Sequence, residues 1–379
     1  MLRSIVPISK TANKIVPPTE TALPDLADLD RPALEQLFEA AGLPRFRARQ
    51  VFRSIYRKGE TDVARMHNLG ATVQAEITRR FRISTPVLEH QDRSADGTRK
   101  FLLRLADGRR IEAVYIPDTP KQTFCISSQV GCAMDCDFCL TGKMGFTRHL
   151  TPAEIVGQVR VLAHETGLRD APFNIVLMGM GEPLHNYDAV MTSMRILADE
   201  EGLAMPPRRV TLSTVGVVPA MERLAREPIM PNLAVSLHAT TDEQRDRLVP
   251  INRKYPLEAL IDACRQFPVK RRNRITFEYV LLAGVNDTPE DARRLVRLLG
   301  DVKAKVNLLP LNAAPGIPYE RPDDATVNRF AKILAERGVN VSVRKSRGRD
   351  IRAACGQLIV EGKKGAAGPR LAELMTRGT

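Results

Sequence analysis

The spacing of apolar residues near the start of the chain predicts a small helical module. Apolar side chains recur at i, i+3, i+4 and i+7 from Leu34 to Ala41, after Asp30, which can cap the helix. A second helix of the same kind follows Pro44, and a third covers about residues 71–81. Arginines occupy the second helix on the face opposite its apolar residues, so the module is basic.

After these helices the pattern changes to the period of β-strands. The apolar runs 101–105 and 111–116 flank Asp107-Gly108, which predicts a β-hairpin. Glu112 interrupts the second run. Such an acid is either paired across the hairpin with an arginine or placed to act as a base, and the pattern alone favours the pair.

From about residue 120, strands alternate with helices. The predicted strands are 123–127, 174–178, 209–213, 232–237, 274–282 and 304–309, with a last strand at 340–345. The predicted helices are 152–166, 187–200, 217–226, 255–267, 288–299 and 323–337. Six βα units imply a parallel sheet with right-handed crossovers, either doubly wound or curled into a partial barrel.

These patterns divide the chain into five predicted parts. They are a disordered lead (1–22), a basic helical accessory domain (23–84), a β-hairpin extension (85–117), a βα core (118–350) and a C-terminal segment (351–379).

Composition narrows the class of protein. The 379 residues are 43% hydrophobic and 27% charged, which is ordinary for a globular protein. No apolar run approaches the roughly 20 residues that span a bilayer, and the N-terminus lacks the apolar core of a secretory signal. Six cysteines are too few for a disulfide scaffold. We therefore expect a cytoplasmic protein with no membrane association.

The net charge predicts a polyanionic partner. The chain has 57 Lys and Arg against 44 Asp and Glu, a net charge of +13. Solvated surface charge is the alternative, but nucleic acid is the simplest partner. Only 5% of residues are aromatic, which favours a structured RNA over a long single strand. The helical module either contacts this RNA or only packs against the core. The basic residues cluster at Arg45, Arg47, Arg49, Arg53, Arg57 and Lys58, at 270–272 with Arg274, and at Arg344, Lys345, Arg347, Arg349 and Arg352.

A cysteine loop after the first core strand supplies the clearest chemistry. Cys132, Cys136 and Cys139 have the spacing C-x3-C-x2-C. Three thiolates suit an iron–sulfur cluster, whereas structural zinc sites usually have a second ligand pair, which is missing here. A cluster with four irons and three cysteines keeps one iron open to a substrate or cofactor. Three inert core cysteines are the alternative, which Asp135 and Asp137 disfavour.

Polar and glycine residues end several of the predicted strands. In parallel βα folds the chemistry lies where strands end, so these residues are expected at one rim beside the cysteine loop. They are the run 179–184, Ser213-Thr214, Ser236-Leu237-His238 and Asn312.

Together these motifs resemble the radical S-adenosylmethionine (SAM) superfamily and, more narrowly, the RlmN family. The resemblance covers roughly residues 30–360 and rests on four motifs: CISSQ at 125–129, GMGEPLHN at 179–186, SLHA at 236–239 and DIRAACGQL at 350–358. It implies a partial (β/α)6, TIM-like radical SAM barrel. The implied activity is the addition of a methyl group to C2 of adenosine in 23S rRNA and in tRNA.

The resemblance also implies the cofactors and the residues that bind them. Cys132, Cys136 and Cys139 are expected to ligate a [4Fe-4S] cluster, whose open iron binds S-adenosylmethionine. The expected cofactor contacts are Gly181, Glu182, Ser213, Ser236, Leu237, His238 and Asn312.

Three further roles and several partners follow from the same resemblance. Cys355 is expected to accept a methyl group, Cys125 to resolve the intermediate through a transient disulfide with Cys355, and Glu112 to accept a proton, which replaces the pairing favoured by pattern alone. The expected partners are 23S rRNA, tRNA and an electron donor such as flavodoxin or ferredoxin, with the enzyme acting as a monomer.

Three other functions are consistent with parts of the sequence. A Cfr-like enzyme that methylates C8 of adenosine shares the two mechanistic cysteines. A non-catalytic iron–sulfur or zinc-stabilised RNA-binding factor would not need Cys355, Cys125 or the Gly-Glu-Pro motif. A glycyl-radical activating enzyme would not need the Ala-Ala-Cys-Gly segment.

Overall fold

The computed structural model describes residues 23–117, 122–269 and 273–359. The predicted N-terminal lead, the basic run 270–272 and the end of the C-terminal segment lie outside these ranges. The helices are α1 Arg31–Ala40, α2 Arg45–Tyr56, α3 Ala71–Arg80, α4 Leu140–Lys143, α5 Pro152–Glu165, α6 Tyr187–Ala198, α7 Val218–Leu224, α8 Asp242–Leu248, α9 Leu257–Gln266, α10 Pro289–Leu298 and α11 Asp324–Glu336.

The strands alternate with these helices from residue 123 onward. They are β1 Val87–Arg93, β2 Arg99–Arg104, β3 Arg110–Ile116, β4 Thr123–Cys125, β5 Gln129–Gly131, β6 Phe146–His149, β7 Asn174–Leu177, β8 Val210–Thr214, β9 Asn232–Ser236, β10 Ile275–Leu281, β11 Ala304–Pro310 and β12 Asn340–Val343.

The N-terminal module has the predicted three helices. The Asp30 carboxylate accepts the backbone N–H of Ala33 and caps α1, while Phe38 and Phe52 are fully buried between the helices. Many of the predicted basic residues are paired within the protein. Glu35 binds Arg49 at 2.7 Å, and Arg53 binds Glu201 of the core. The basic face of α2 therefore serves in part to hold the module together and against the core.

One ten-stranded sheet runs through the molecule in the order β1-β2-β3-β4-β7-β8-β9-β10-β11-β12. Strands β1 to β4 are antiparallel, and from β4 onward all neighbours are parallel. The parallel strands follow chain order without a reversal. This order excludes the doubly wound alternative and agrees with the predicted partial barrel.

The predicted hairpin is larger than the sequence indicated. A third strand, β1, pairs with β2, and β3 pairs with β4 of the core. The strand β1 was not predicted from the sequence, because most of its residues are polar and exposed or half-buried, so it lacks an apolar period. The hairpin therefore continues the core sheet rather than forming a sheet of its own.

A small second sheet, β5 with β6, closes the base of the cysteine loop. Gly131 begins the loop in the left-handed region, with φ of 77°, and a Cβ atom there would lie 1.9 Å from the carbonyl oxygen of Gly145. Only glycine fits this close approach. In the described part of the chain, no helix has the length and apolar character needed to cross a membrane.

Candidate active site

A pocket of about 170 Å³ opens at the carboxyl ends of the parallel strands. Most of the residues that the sequence placed at this rim line it. Among the predicted cofactor contacts, Leu237 is the exception, because its side chain is fully buried in the core. Met180, Pro183 and Leu184 of the run 179–184 do not line the pocket either. The predicted site residues that line the pocket are Cys132, Cys136, Cys139, Gly181, Glu182, Ser213, Ser236, His238, Asn312 and Cys355.

The cysteine loop is held in place by its polar residues. Cys136 is buried, while Cys132 and Cys139 are half-buried. Asp137 fixes the loop between them: its carboxylate accepts hydrogen bonds from Lys143 at 2.6 Å and from the Tyr319 hydroxyl at 2.5 Å. Burial raises the pKa of all three thiols, so loss of their protons requires a cation that they can bind.

The donor set fits an iron–sulfur cluster better than a single metal ion. Within the described ranges, no group of three or more His, Cys, Asp or Glu side chains converges as a site for one ion. Zinc would need its ligands gathered at about 2.3 Å from one centre, whereas a cluster takes each cysteine on a different iron.

Asn312 Oδ1, in the same pocket, is buried without a hydrogen-bond partner in the described residues. Such an atom indicates a polar ligand.

Glu182 joins two segments of the pocket rim. One carboxylate oxygen accepts the backbone N–H of Leu184 at 2.9 Å, and the other accepts that of Val215 at 2.8 Å. Burial raises the pKa of Glu182 to about 7, and the backbone hydrogen bonds oppose this increase. Gly181, the preceding residue, has φ of 102°, and a Cβ atom at this position would lie 2.5 Å from the Cβ atom of Gln129.

His238 is a neutral imidazole in the pocket wall. Its Nδ1 accepts the backbone N–H of Val280 at 3.0 Å, so the proton resides on Nε2. The pKa of His238 is lowered to about 3, mainly by burial and to a smaller extent by the positive charge of Arg245. The residue has φ of 60°, and its carbonyl accepts a hydrogen bond from Asn286 at 2.8 Å.

The C-terminal segment lies against the cysteine loop. The backbone N–H of Leu140 donates to the carbonyl of Gly356 at 2.8 Å, and the Thr141 hydroxyl donates to that of Leu358 at 2.6 Å. Cys355 is thereby placed on the pocket wall, and it is an exposed residue with a free thiol. Desolvation by the surrounding protein raises the pKa of the Cys355 thiol.

Glu112 does not line the pocket, but it contacts this C-terminal segment. It is buried, and its carboxylate binds Lys100 at 3.0 Å and the backbone N–H of Ile359 at 2.9 Å. Burial raises the pKa of Glu112, and the Lys100 ammonium opposes this effect. The cross-hairpin partner is thus a lysine and not the predicted arginine, because Leu102 lies opposite Glu112 and Lys100 is the diagonal neighbour.

Cys125 is buried on β4 and does not line the pocket. Burial raises the pKa of the Cys125 thiol, and the charge of Cys355 adds to this effect. The structure contains no disulfide between them: all six cysteines are free.

Comparisons with known proteins agree on one family. The profile of the Radical SAM superfamily matches residues 126–299, and that of the Ribosomal RNA large subunit methyltransferase N-terminal domain matches residues 24–83. The Dual-specificity RNA methyltransferase RlmN of Pelobacter propionicus is 51% identical over 343 residues, covering 90% of this chain and 97% of the relative. Its namesake in Geobacter sulfurreducens is 50% identical, covering 91% and 94%. The chain belongs to the RlmN family.

A solved structure supports the same assignment. A crystal structure of a radical SAM methyltransferase from Sphaerobacter thermophilus is 46% identical in sequence and matches with a TM-score of 0.85. The match covers 89% of this chain and 100% of the chain in that structure. The predicted radical SAM fold is therefore confirmed. Membership of the RlmN family also confirms a [4Fe-4S] cluster and S-adenosylmethionine as the cofactors and excludes a glycyl-radical activating enzyme.

The pocket of this RlmN-family chain contains a second acid that was not predicted from the sequence. Glu278 is buried, lines the pocket and accepts a hydrogen bond from Asn307 at 2.9 Å. It interrupts an apolar strand, which is the same signal that identified Glu112. The helix α8 was not predicted either, because only the last of its seven residues, Leu248, is apolar and the segment has no apolar period.

Proposed function

We propose that this chain is a radical SAM methyltransferase that adds a methyl group to C2 of adenosine in 23S rRNA and in tRNA. The proposal rests on one observation above all. The free thiol of Cys355 lies in the same pocket as the three cysteines of the loop. A cluster used only for structure would not need a separate, exposed thiol beside it.

Cys132, Cys136 and Cys139 would hold the cluster, and the rim residues would surround S-adenosylmethionine. When bound, the cluster supplies one electron, and S-adenosylmethionine supplies the methyl group and the hydrogen-abstracting radical. Asn312 and Ser213 offer polar side chains to the cofactor, and His238 offers a neutral N–H.

Cys355 is the residue we assign as the methyl carrier. Adenine C2 is an electron-poor carbon, so it cannot attack a sulfonium methyl group as an ordinary nucleophile. A cysteine sulfur can, and it then presents the carbon to the base. The small neighbours Ala354 and Gly356 leave its sulfur open to both cofactor and RNA.

Glu112 and Cys125 would complete the cycle. Glu112 would remove the C2 proton, a role that suits a carboxylate whose pKa is raised by burial. The Cys125 thiolate would then attack the Cys355 sulfur, which forms a transient disulfide and breaks the sulfur–carbon bond to the RNA. The released carbon keeps the electron pair of that bond and takes a proton from solvent to become the methyl group.

An RNA substrate agrees with the net charge of +13 and with the RNA-methyltransferase names of the relatives. We place the enzyme in the cytoplasm. That a flavodoxin or ferredoxin reduces the cluster, and that the enzyme acts as a monomer, are predictions that no observation tests.

A nucleoside digest of treated RNA tests the proposal. Anaerobically reconstituted enzyme is incubated with reductant, S-adenosylmethionine and either a 23S rRNA fragment or a tRNA, and the digest is analysed by mass spectrometry. We expect 2-methyladenosine from both substrates. Only 8-methyladenosine would identify a Cfr-like enzyme, and no methylated adenosine would favour a non-catalytic RNA-binding factor.

A further inference from the structure

Arg245 is a fully buried arginine that binds three carbonyl groups of the pocket rim. Its Nε donates to the carbonyl of Leu237 at 3.1 Å, and Nη2 donates to those of Val215 at 2.6 Å and Ser236 at 3.1 Å. Since Ser236 and Val215 line the pocket, these hydrogen bonds set the position of two neighbouring rim segments.

Glu182 extends this framework to a third rim segment. Its carboxylate binds the N–H of Val215, while Arg245 binds the carbonyl of the same residue. Val215 is therefore held on both sides, and the segments after β7, β8 and β9 form one connected rim. Loss of the guanidinium would leave three carbonyls without this donor in a buried environment.

No carboxylate of the described residues contacts the Arg245 guanidinium. Its Nη1 donates to Asn252 Oδ1 at 3.0 Å, and the Asn252 amide in turn donates to Asp242 at 2.9 Å and Asp246 at 2.7 Å. The two carboxylates are thus linked to the Arg245 guanidinium only indirectly, through Asn252. The buried positive charge is only partly compensated by the protein.

The cysteine loop packs on the helix that carries Arg245. The backbone N–H of Asp137 donates to the carbonyl of Leu248 at 3.0 Å, and Cys136 lies in one apolar cluster with Leu248 and Val249. Burial lowers the pKa of Arg245 to about 10, and the charge of Cys136 raises it, so the guanidinium stays charged at neutral pH.

We propose that Arg245 is a positioning residue with a second, electrostatic role: it fixes the rim of the S-adenosylmethionine pocket and places a positive charge behind the cysteine loop that favours the reduced cluster. Reduction adds one negative charge to the cluster, and a nearby fixed cation stabilises that charge. This inference rests on the proposed site, in which Cys136 is a cluster ligand.

The test compares four reconstituted variants with the wild type: Arg245→Lys, Arg245→Met, Asp246→Asn and Arg293→Met. Arg293 is an exposed residue of α10 bound only to Glu290 among the described residues, so it controls for the loss of one positive charge. Iron content and thermal unfolding are measured first. The readouts are the cluster midpoint potential, from a redox titration followed by electron paramagnetic resonance, and the Kd for S-adenosylmethionine.

Arg245→Met is expected to shift the potential to more negative values and to weaken S-adenosylmethionine binding by roughly tenfold or more. Arg245→Lys keeps the charge but loses the planar fork, so the potential stays near wild type while binding weakens. Asp246→Asn removes a compensating negative charge and shifts the potential to more positive values. Arg293→Met leaves both readouts unchanged.

Wild-type potential and affinity in both Arg245 variants would overturn the inference. If Arg245→Met does not incorporate iron, the other two site variants decide: unchanged affinity in Arg245→Lys with unchanged potential in Asp246→Asn also overturns it. A wild-type protein that binds neither iron nor S-adenosylmethionine would instead contradict the proposed function.

Discussion

The carboxylate of Glu112 accepts a hydrogen bond from the backbone N–H of Ile359 at 2.9 Å, across 247 residues of sequence. Lys100 binds the same side chain at 3.0 Å. Ile359 ends the described segment that carries Cys355, and that segment is itself bound to the cysteine loop. The proposed proton acceptor, methyl carrier and cluster ligands therefore belong to one connected framework, although Glu112 does not line the pocket.

Glu112→Gln is expected to stop the reaction after the RNA has become attached to Cys355. Glutamine keeps the hydrogen-bond acceptor for Ile359 but cannot take a proton, so product formation should fall by a factor on the order of 10² or more. Gel electrophoresis under denaturing conditions would then reveal a protein–RNA adduct. Wild-type turnover by Glu112→Gln would show that another group accepts the proton.

Lys100→Met is expected to move the pH dependence of product formation to higher pH. Burial raises the pKa of Glu112 and Lys100 opposes that effect, so removal of the ammonium raises this pKa further. A higher pH is then needed to obtain the same fraction of carboxylate. Lys100→Arg keeps the charge and is the control. The measurement is the single-turnover rate between pH 5 and pH 9, and identical profiles for the two variants would contradict this coupling.

Gly356→Ala is expected to impair methylation of Cys355. Gly356 has φ of 77°, and a Cβ there would lie 3.4 Å from the Phe138 carbonyl oxygen. Gly338 has φ of 78° with no atom within 4 Å, so Gly338→Ala carries the same backbone strain far from the site. Both variants should lose about 1–2 kcal/mol of stability.

Only Gly356→Ala should also lose methyl transfer, by roughly tenfold to a hundredfold, because it displaces the thiol. The mass of the intact protein after incubation with S-adenosylmethionine reports the methyl group on Cys355. Equal methylation of the two variants would mean that the Gly356 conformation does not position Cys355.

His238 is expected to make the protein less stable in acid. Its pKa is lowered from 6.5 to about 3 by burial, so the folded state holds the neutral ring. This contribution is fully present above pH 6.5 and is lost as the pH falls toward 3, at about 1.4 kcal/mol per pH unit. The Tm of wild type should fall more steeply between pH 7 and pH 4 than that of His238→Asn, which keeps an acceptor for Val280. Parallel curves would assign the acid sensitivity to other groups.

The sequence predicted the features that depend on local patterns. The βα alternation, the three N-terminal helices and the spacing of Cys132, Cys136 and Cys139 each occupy a short stretch of chain. The rim residues were also predictable, because strand ends in a parallel sheet meet at one edge. By contrast, β1 was missed since an exposed edge strand needs no apolar face.

Contacts between distant segments could not be predicted from the pattern of apolar and polar residues. The partner of Glu112 depends on the register of β2 against β3, which places Lys100 diagonally across from it. The contacts of Arg245 depend on the packing of α8 beneath the rim, and a single arginine in a polar heptapeptide gives no sign of complete burial.

The most direct test of the central claim compares Cys355→Ala with Cys264→Ala. Cys264 is a buried thiol of α9 that does not line the pocket, so it controls for the loss of a cysteine. Both variants are reconstituted to equal iron content and incubated with RNA, reductant and S-adenosylmethionine. We expect 2-methyladenosine from wild type and Cys264→Ala and none from Cys355→Ala. Formation of 2-methyladenosine by Cys355→Ala at the wild-type rate would contradict a methyl group carried by Cys355.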